Sequence, residues 1–343
     1  MKRFTLLSLT LFMFVSILIN FSPALAETVV IRMSHISGAS AFEKGWLDWF
    51  CKEAETRTNG RVKVQVFWGG SLAKIKEQPQ AVQSGLSDMG WIAAGYHSGY
   101  GQMAKILTLS SLFAPKMSPV EMMQKWLQLC DRVPEVYEEY EKTSMVPIVQ
   151  RYYDRYWLFS NKPVRKLTDL KGMKVRTAVE LHHTAYQAVD AVPIFLPTPE
   201  VYGALKKGVV DAVAFAIDTA SRYKAYEVTK YAIQTDLVSE YAQWVMNLNT
   251  FKKLSWIDQK TMLQLGREAS LLIAEKMTSF CDESIKLFKK AGLEIIKFPD
   301  EDKKAWAQKP AIEQYTNNWI KEAESKGLPG GKTVALYRKM MGN

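Results

Sequence analysis

The sequence predicts an α/β fold in two lobes, with one long helix reaching across both. Three observations carry that expectation. A strand–helix–strand–helix–strand rhythm fills residues 29–93, the rhythm returns over 156–215, and a single amphipathic stretch runs from Ser255 almost to Gly292. Strands alternating with helices imply parallel βαβ units. At roughly 1.5 Å of rise per residue, a helix of some 35 residues reaches about 50 Å, longer than one small lobe.

The elements follow in order. Val29–Ser34 reads as a strand with Val29, Ile31 and Met33 on one face. Phe42, Trp46, Trp49, Phe50 and Ala54 recur at three and four, the period of a helix, which Asn59-Gly60 ends. Val62, Val64 and Val66 alternate with Lys63 and Gln65 in a second strand, closed by Gly69-Gly70. Glu77–Ser84 reads as a helix stopped by Gly85, and Asp88–Ala93 as a third strand. Ser118, Pro119 and Glu121 form a helix start, with Ser as N-cap, Pro at the first helical position and Glu completing the capping box. That helix breaks near Pro134 and resumes to about Lys142, before a strand over Val146–Gln150.

In the second half Tyr156–Phe159 is extended, Met173–Arg176 is a strand, Glu180–Val189 a helix and Val192–Phe195 a short strand. Thr198-Pro199-Glu200 caps a helix ending at Gly208, and Val209–Phe215 follows as a buried strand. Ile257, Leu265, Ala269, Leu272, Met277, Phe280, Ile285 and Phe288 give the long helix its apolar stripe. Glu294–Phe298 returns as a strand, and Pro299-Asp300 opens a last helical region.

The first 26 residues read as a targeting segment. Lys2 and Arg3 precede an uncharged apolar run, Phe4–Ile19, and Pro23-Ala24-Leu25-Ala26 places small residues before a cut after Ala26. An uncleaved membrane anchor is the rival, but the run is short for a bilayer core of roughly 30 Å. No Cys follows Ala26, so no lipid anchor is expected. The mature chain is expected to work in solution in the periplasm.

Removing that segment leaves 317 residues, ample for two lobes. The formal charge is +10, or +8 without Lys2 and Arg3. The cations are scattered, with no block of five, which together with export argues against nucleic acid and for a mild field favouring anionic ligands. Cys51, Cys130 and Cys281 lie far apart without a CxxC, so free buried thiols are expected over a disulfide framework.

No enzyme signature is present: there is no GxSxG, HExxH, P-loop or GxGxxG. His182 and His183 are adjacent, so on a helix they point about 100° apart and chelate poorly; exposed helical histidines are the plain reading. No cofactor and no metal are expected. Arg176 ends a strand at its carboxyl side, where ligands of open parallel sheets gather, and a guanidinium there can hold a carboxylate by two charge-assisted hydrogen bonds. Arg155 lies in the aromatic-rich run Tyr152–Trp157.

Several blocks together resemble one family. They are Thr58–Val64 with Gly69–Leu72, Ala81–Gly85 through Met89, Asn161–Val164 with Asp169–Arg176, and Ala204–Asp211. In this order and spacing they resemble the periplasmic solute-binding proteins of TRAP (tripartite ATP-independent periplasmic) transporters, of the dicarboxylate-binding type, over nearly the whole mature chain. The resemblance implies a two-lobed periplasmic binding protein fold with a hinge and a ligand shut between the lobes. It also implies a small and a large membrane subunit as partners and an ion gradient as driving force. The boundaries expected on this basis are signal peptide 1–26, lobe I 27–150 completed by parts of 235–275, lobe II 151–234 completed by parts of 276–325, the lobe-spanning helix 255–291, and a C-terminal tail 326–343. A monomer is expected, with a dimer as the alternative.

By the same resemblance Arg176 is the carboxylate-binding residue. Arg155 is the candidate for a second upstream arginine, with Tyr152, Tyr156 and Trp157 as competitors. Where many members carry an acidic residue and an Asn after Val-Asp, this chain has Ala214 and Phe215, so the metal-assisted binding of 2-oxo acids is not expected. Phe215 would wall the pocket, Asp218 follows as a further contact, and Trp91 and Tyr96 would cover the ligand from the first lobe. The expected ligand is a compact carboxylate with an apolar or aromatic part, with a sulfonate as the alternative. A binding protein for an ATP-driven importer or a sensor, and a secreted enzyme, are the rival functions; the last would need a nucleophile–base pair that the sequence does not display.

Overall fold

The computed structural model describes residues 28–93, 96–97, 99–107, 117–153, 156–236 and 239–342; the expected signal peptide and Arg155 lie outside the described residues. The first third contains β1 (Val29–Ser34), α1 (Ala41–Arg57), β2 (Val62–Phe67), α2 (Gln78–Ser84) and β3 (Met89–Ala93). Next come α3 (Pro119–Arg132), α4 (Glu135–Glu141), β4 (Met145–Tyr152), β5 (Tyr156–Ser160), β6 (Lys174–Thr177), α5 (Glu180–Gln187), β7 (Val192–Phe195), α6 (Val201–Lys206), β8 (Ala212–Ala216) and α7 (Ile217–Arg222). The chain finishes with β9 (Tyr231–Gln234), β10 (Tyr241–Asn247), α8 (Leu248–Lys253), α9 (Trp256–Lys290), β11 (Glu294–Lys297), α10 (Asp300–Ala307), α11 (Pro310–Ser325) and α12 (Gly330–Met341).

Two sheets organise these elements. The first has the order β2-β1-β3-β10-β4, the second β11-β9-β5-β8-β6-β7. The expected parallel unit is present, since β1 pairs in parallel with both β2 and β3. It is not the whole sheet. β10, late in the chain, inserts antiparallel between β3 and β4, and β5 is antiparallel to both of its neighbours. β9 and β10 have no helix between them to announce a crossover, so alternation alone does not disclose them.

Local signals explain most boundaries. Ser118 Oγ accepts from the Glu121 amide at 3.3 Å while the Glu121 carboxylate accepts from the Ser118 amide at 2.9 Å, the reciprocal capping box. Gly85 ends α2 at φ 76°, a left-handed conformation that a side chain would strain. Two expectations need correcting. Thr198 makes no cap; Thr198–Glu200 is a 3₁₀ turn, and the threonine hydroxyl serves the site described below. The strand placed over Val209–Phe215 begins at Ala212, and Val209 is 49% exposed, because the turn after Gly208 (φ 70°) holds it outside the sheet.

The chain passes between the sheets three times. β4 is followed by β5 of the second sheet with Tyr153 between them, β9 by β10 of the first with Thr235, Asp236, Ser239 and Glu240 between them, and α9 leads to β11. The first two connections are tied together: the Tyr153 amide donates to the Glu240 carbonyl at 2.9 Å, and Thr235 Oγ1 to the Tyr156 carbonyl at 3.0 Å. The 35-residue α9 packs on α1, α3 and β4 of one lobe and on α7 of the other, and its Phe288 meets Phe159 of β5 at 5.2 Å. Its buried face includes Leu265, Ala269, Met277 and Phe288, whereas Ile257 of the expected stripe is exposed. At Gly266 the helix lies so close to β4 that an added Cβ would come within 1.9 Å of the Ile148 carbonyl oxygen.

The stretch 326–343, read above as a tail, contains α12, whose Val334, Tyr337 and Met341 are buried against α11 and α3. The three cysteines are free thiols, Cys130 and Cys281 buried and Cys51 half-buried. Among the described residues no helix is long and apolar enough to cross a membrane.

Candidate functional site

Where the two connecting segments run side by side, a cavity opens between the sheets, with about 480 Å³ of empty space counted out to the solvent at its mouth. Its walls come from both lobes. Trp91 of β3, Tyr96 and Ile75 line it together with Arg176 of β6, Phe215 of β8 and Tyr223, while Tyr156 opens β5 and Tyr153 and Glu240 come from the connections.

Arg176 is the centre of the arrangement. β6 and β8 run parallel with Arg176 beside Val213, so Phe215, two residues on, presents its ring to the guanidinium, whose Cζ lies 4.8 Å from the ring centroid. Arg176 Nε donates to the Leu196 carbonyl at 2.9 Å and one terminal nitrogen donates to Thr198 Oγ1 at 3.0 Å. Both partners are neutral. Among the described residues no carboxylate forms an ion pair with Arg176, although the residue is only 1% exposed. Burial therefore pulls its pKa down to about 10, against the partial compensation of Tyr156 and Glu240. A buried guanidinium without a counter-ion favours an anion that enters beside it.

A second cationic wall has the opposite character. Arg222 of α7 also lines the cavity, but its charge is matched. It donates to Asp218 Oδ2 at 2.9 Å, and Arg151 of β4 reaches the same oxygen at 2.6 Å and Glu43 Oε1 of α1 at 2.9 Å. Burial raises the cost of charge on Glu43, but Arg151, His35 and Arg222 outweigh it and hold the carboxyl well below its usual range. The network joins α1 and β4 of one lobe to α7 of the other.

The sequence candidates separate accordingly. Arg176, Phe215, Tyr156, Trp91 and Tyr96 come together on the cavity wall. Tyr96 meets Trp91 edge-on at 6.2 Å and Phe195 of the opposite lobe at 5.8 Å. Trp157 does not line the cavity; its indole donates to Asp236 at 2.8 Å, and Asp236 also holds Lys303. Asp218 is not on the wall either, because Arg151 and Arg222 occupy its carboxylate. Tyr152 gives place to its neighbour Tyr153. His182, read as exposed, is fully buried beneath Tyr156, ring centroids 4.5 Å apart, and burial lowers its pKa to about 3, so it is neutral.

Sequence reasoning missed Thr198, Arg222, Tyr223 and above all Glu240. Burial raises the Glu240 carboxyl to about 7; Oε2 accepts from Tyr156 Oη at 3.1 Å, and Oε1 has no partner. An acidic residue opening the otherwise apolar strand that follows it was the available signal. Glu240 is the one carboxylate lining the cavity among the described residues, and Ala214 supplies none, so the donor set does not suit a metal ion. Among the described residues no group of three or more His, Cys, Asp and Glu could hold one.

Comparison with known proteins shows the family and the fold. The family model for bacterial extracellular solute-binding proteins, family 7 (DctP), matches residues 33–322. A solute-binding protein of Verminephrobacter eiseniae is 25% identical over 304 residues, covering 88% of this chain and 89% of that one. The crystal structure of a TRAP periplasmic solute-binding protein from Desulfovibrio salexigens with bound orotic acid superposes with a TM-score of 0.82 at 21% identity, covering 92% and 99% of the two chains. A TRAP solute-binding protein from Bordetella bronchiseptica with bound mandelate gives 0.79 at 22% identity, covering 91% and 98%.

Proposed function

The chain belongs to family 7 of the bacterial extracellular solute-binding proteins, and from that membership we propose that it captures a small carboxylate with an apolar or aromatic body between its lobes. The observation that carries this reading is Arg176: a buried guanidinium, stacked on Phe215, hydrogen-bonded among the described residues to neutral groups only, and lining the inter-lobe cavity. A ligand carboxylate would supply the missing counter-charge through charge-assisted hydrogen bonds. Trp91, Tyr96 and Phe215 would cover its apolar part. Orotic acid and mandelate, bound by the two structural relatives, are compact ring-bearing acids and support that choice of ligand class.

In this reading the protein is exported by residues 1–26, works in the periplasm as a binding protein without turnover, and passes its ligand to a small and a large TRAP membrane subunit. Lobe closure excludes water and strengthens the ion pair. Titration calorimetry with a panel of carboxylates tests the reading. Arg176→Ala should weaken binding by at least about 100-fold, since the ligand anion would be buried without its partner. An Ala variant that binds as tightly as the wild type would refute the assignment.

A further inference from the structure

A ligand carboxylate at Arg176 leaves an unused acceptor elsewhere on the cavity wall. Glu240 is 5% exposed and lines the same cavity. Tyr156 satisfies one carboxyl oxygen at 3.1 Å, and the other, buried, has no hydrogen-bond partner. A buried carboxylate oxygen left without a partner costs free energy, and here the nearby guanidinium does not meet it. The two side chains feel each other electrostatically, yet Arg176 spends its Nε and one terminal nitrogen on Leu196 and Thr198, and no ion pair closes the gap between them. Arg222 cannot serve either, since Asp218, Glu43 and Ser37 hold it.

We infer that Glu240 is a specificity-determining residue whose free oxygen accepts a hydrogen bond from the ligand, so that the site selects organic acids bearing a hydroxyl or N–H group in addition to the carboxylate held by Arg176. The inference rests on the proposed function and names the substrate class within it. The two poles fix different ends of the ligand. The cation takes the carboxylate, the buried oxygen takes a donor, and the aromatic walls bear on what lies between. An acid without the donor enters the same cavity but leaves Glu240 Oε1 desolvated and unpaired, which is the kind of mismatch that binding sites reject strongly. The main-chain bond from Tyr153 to the Glu240 carbonyl and the Tyr156 hydroxyl hold the carboxyl in place, so it is preorganised for this contact.

The test compares matched pairs of acids by titration calorimetry: mandelate with phenylacetate, lactate with propionate, and 3-hydroxybenzoate with benzoate. The wild type should bind the hydroxylated member of at least one pair tenfold or more tighter. Glu240→Leu should reduce that ratio to near one, chiefly by raising the affinity for the deoxy partner, which no longer leaves a buried oxygen unpaired. Glu240→Gln, which keeps the shape and one acceptor, should retain part of it and guards against a folding failure of the Leu variant. A wild type that binds both members of every pair equally, or a Leu variant that keeps the full preference, overturns the inference and leaves the Arg176 reading standing. Unchanged binding by Arg176→Ala, or no binding of any of the acids, overturns both.

Discussion

At the scale of single residues, the site is a contrast between two buried arginines. Arg151 lies between Glu43 and Asp218, and Arg176 has no carboxylate partner among the described residues, though both are 1% exposed. Only the second has charge to offer a ligand. Glu240 modulates it. Its carboxyl is pushed to about 7 by burial, so it is neutral below that pH and negative above it. A negative Glu240 repels a ligand carboxylate beside Arg176, so affinity for an acid without a donor group should fall as pH rises from 6 to 8, and calorimetry at the two pH values measures it. The same group bears on stability. A carboxyl whose folded pKa lies above its unfolded value stabilises the fold below the unfolded value, near 4.5, and loses that contribution as pH rises through about 7. Glu139, raised to about 7 by burial, acts in the same direction. Glu43 and Asp88, held low, titrate below this window, while His182 and His97, lowered by burial, act in the opposite direction near pH 6 and offset part of the effect. Urea denaturation of the ligand-free protein should therefore give a higher midpoint at pH 6 than at pH 8.

At the scale of elements, helix ends and one close crossing are the sensitive points. Ser118 and Glu121 satisfy each other's amides at the start of α3, and Ser118→Ala should cost about 1 kcal/mol by urea denaturation. The crossing of α9 over β4 is less forgiving. Ser270 Oγ donates to the Gly266 carbonyl and accepts from the Gln150 amide at 2.8 Å, so helix and strand share a hydrogen bond where their backbones nearly touch. Gly266→Ala would drive a methyl group into the Ile148 carbonyl, and α9 cannot shift there without moving its contacts on α1 and α3. Overpacking of this kind should destabilise by about 3 kcal/mol, read as a lowered denaturation midpoint at unchanged slope.

At the scale of the whole molecule, two lobes are held in register by α9, by the paired connections through Tyr153 and Glu240, and by the Glu43–Arg151–Asp218–Arg222 network. The network charges come from both lobes, and Glu43, Arg151 and Asp218 are fully buried, so removing Arg151 strands both carboxylates. Arg151→Met should destabilise by about 3–5 kcal/mol. A ligand that engages both walls should in turn stabilise the closed form. At 100 times its Kd it adds about 2.7 kcal/mol, visible as a rise in the thermal midpoint. Arg176→Ala should lack that rise at the same ligand concentration.

Periodicity, caps and the block ending at Arg176 were enough to expose the α/β class, the long helix, most element ends and one residue of the cavity wall, because each rests on residues close together in the chain. The rest depends on distant segments meeting. Nothing near Tyr241 indicates that β10 enters the middle of the first sheet, and nothing near Glu240 indicates that it will face Arg176, 64 residues away. Asp218 and Trp157 were read as ligand contacts for the same reason: a side chain's chemistry is written locally, but whether Arg151 or Asp236 has already claimed it is decided by packing. Residue type sets what a group can do, and the tertiary fold sets which partner reaches it first.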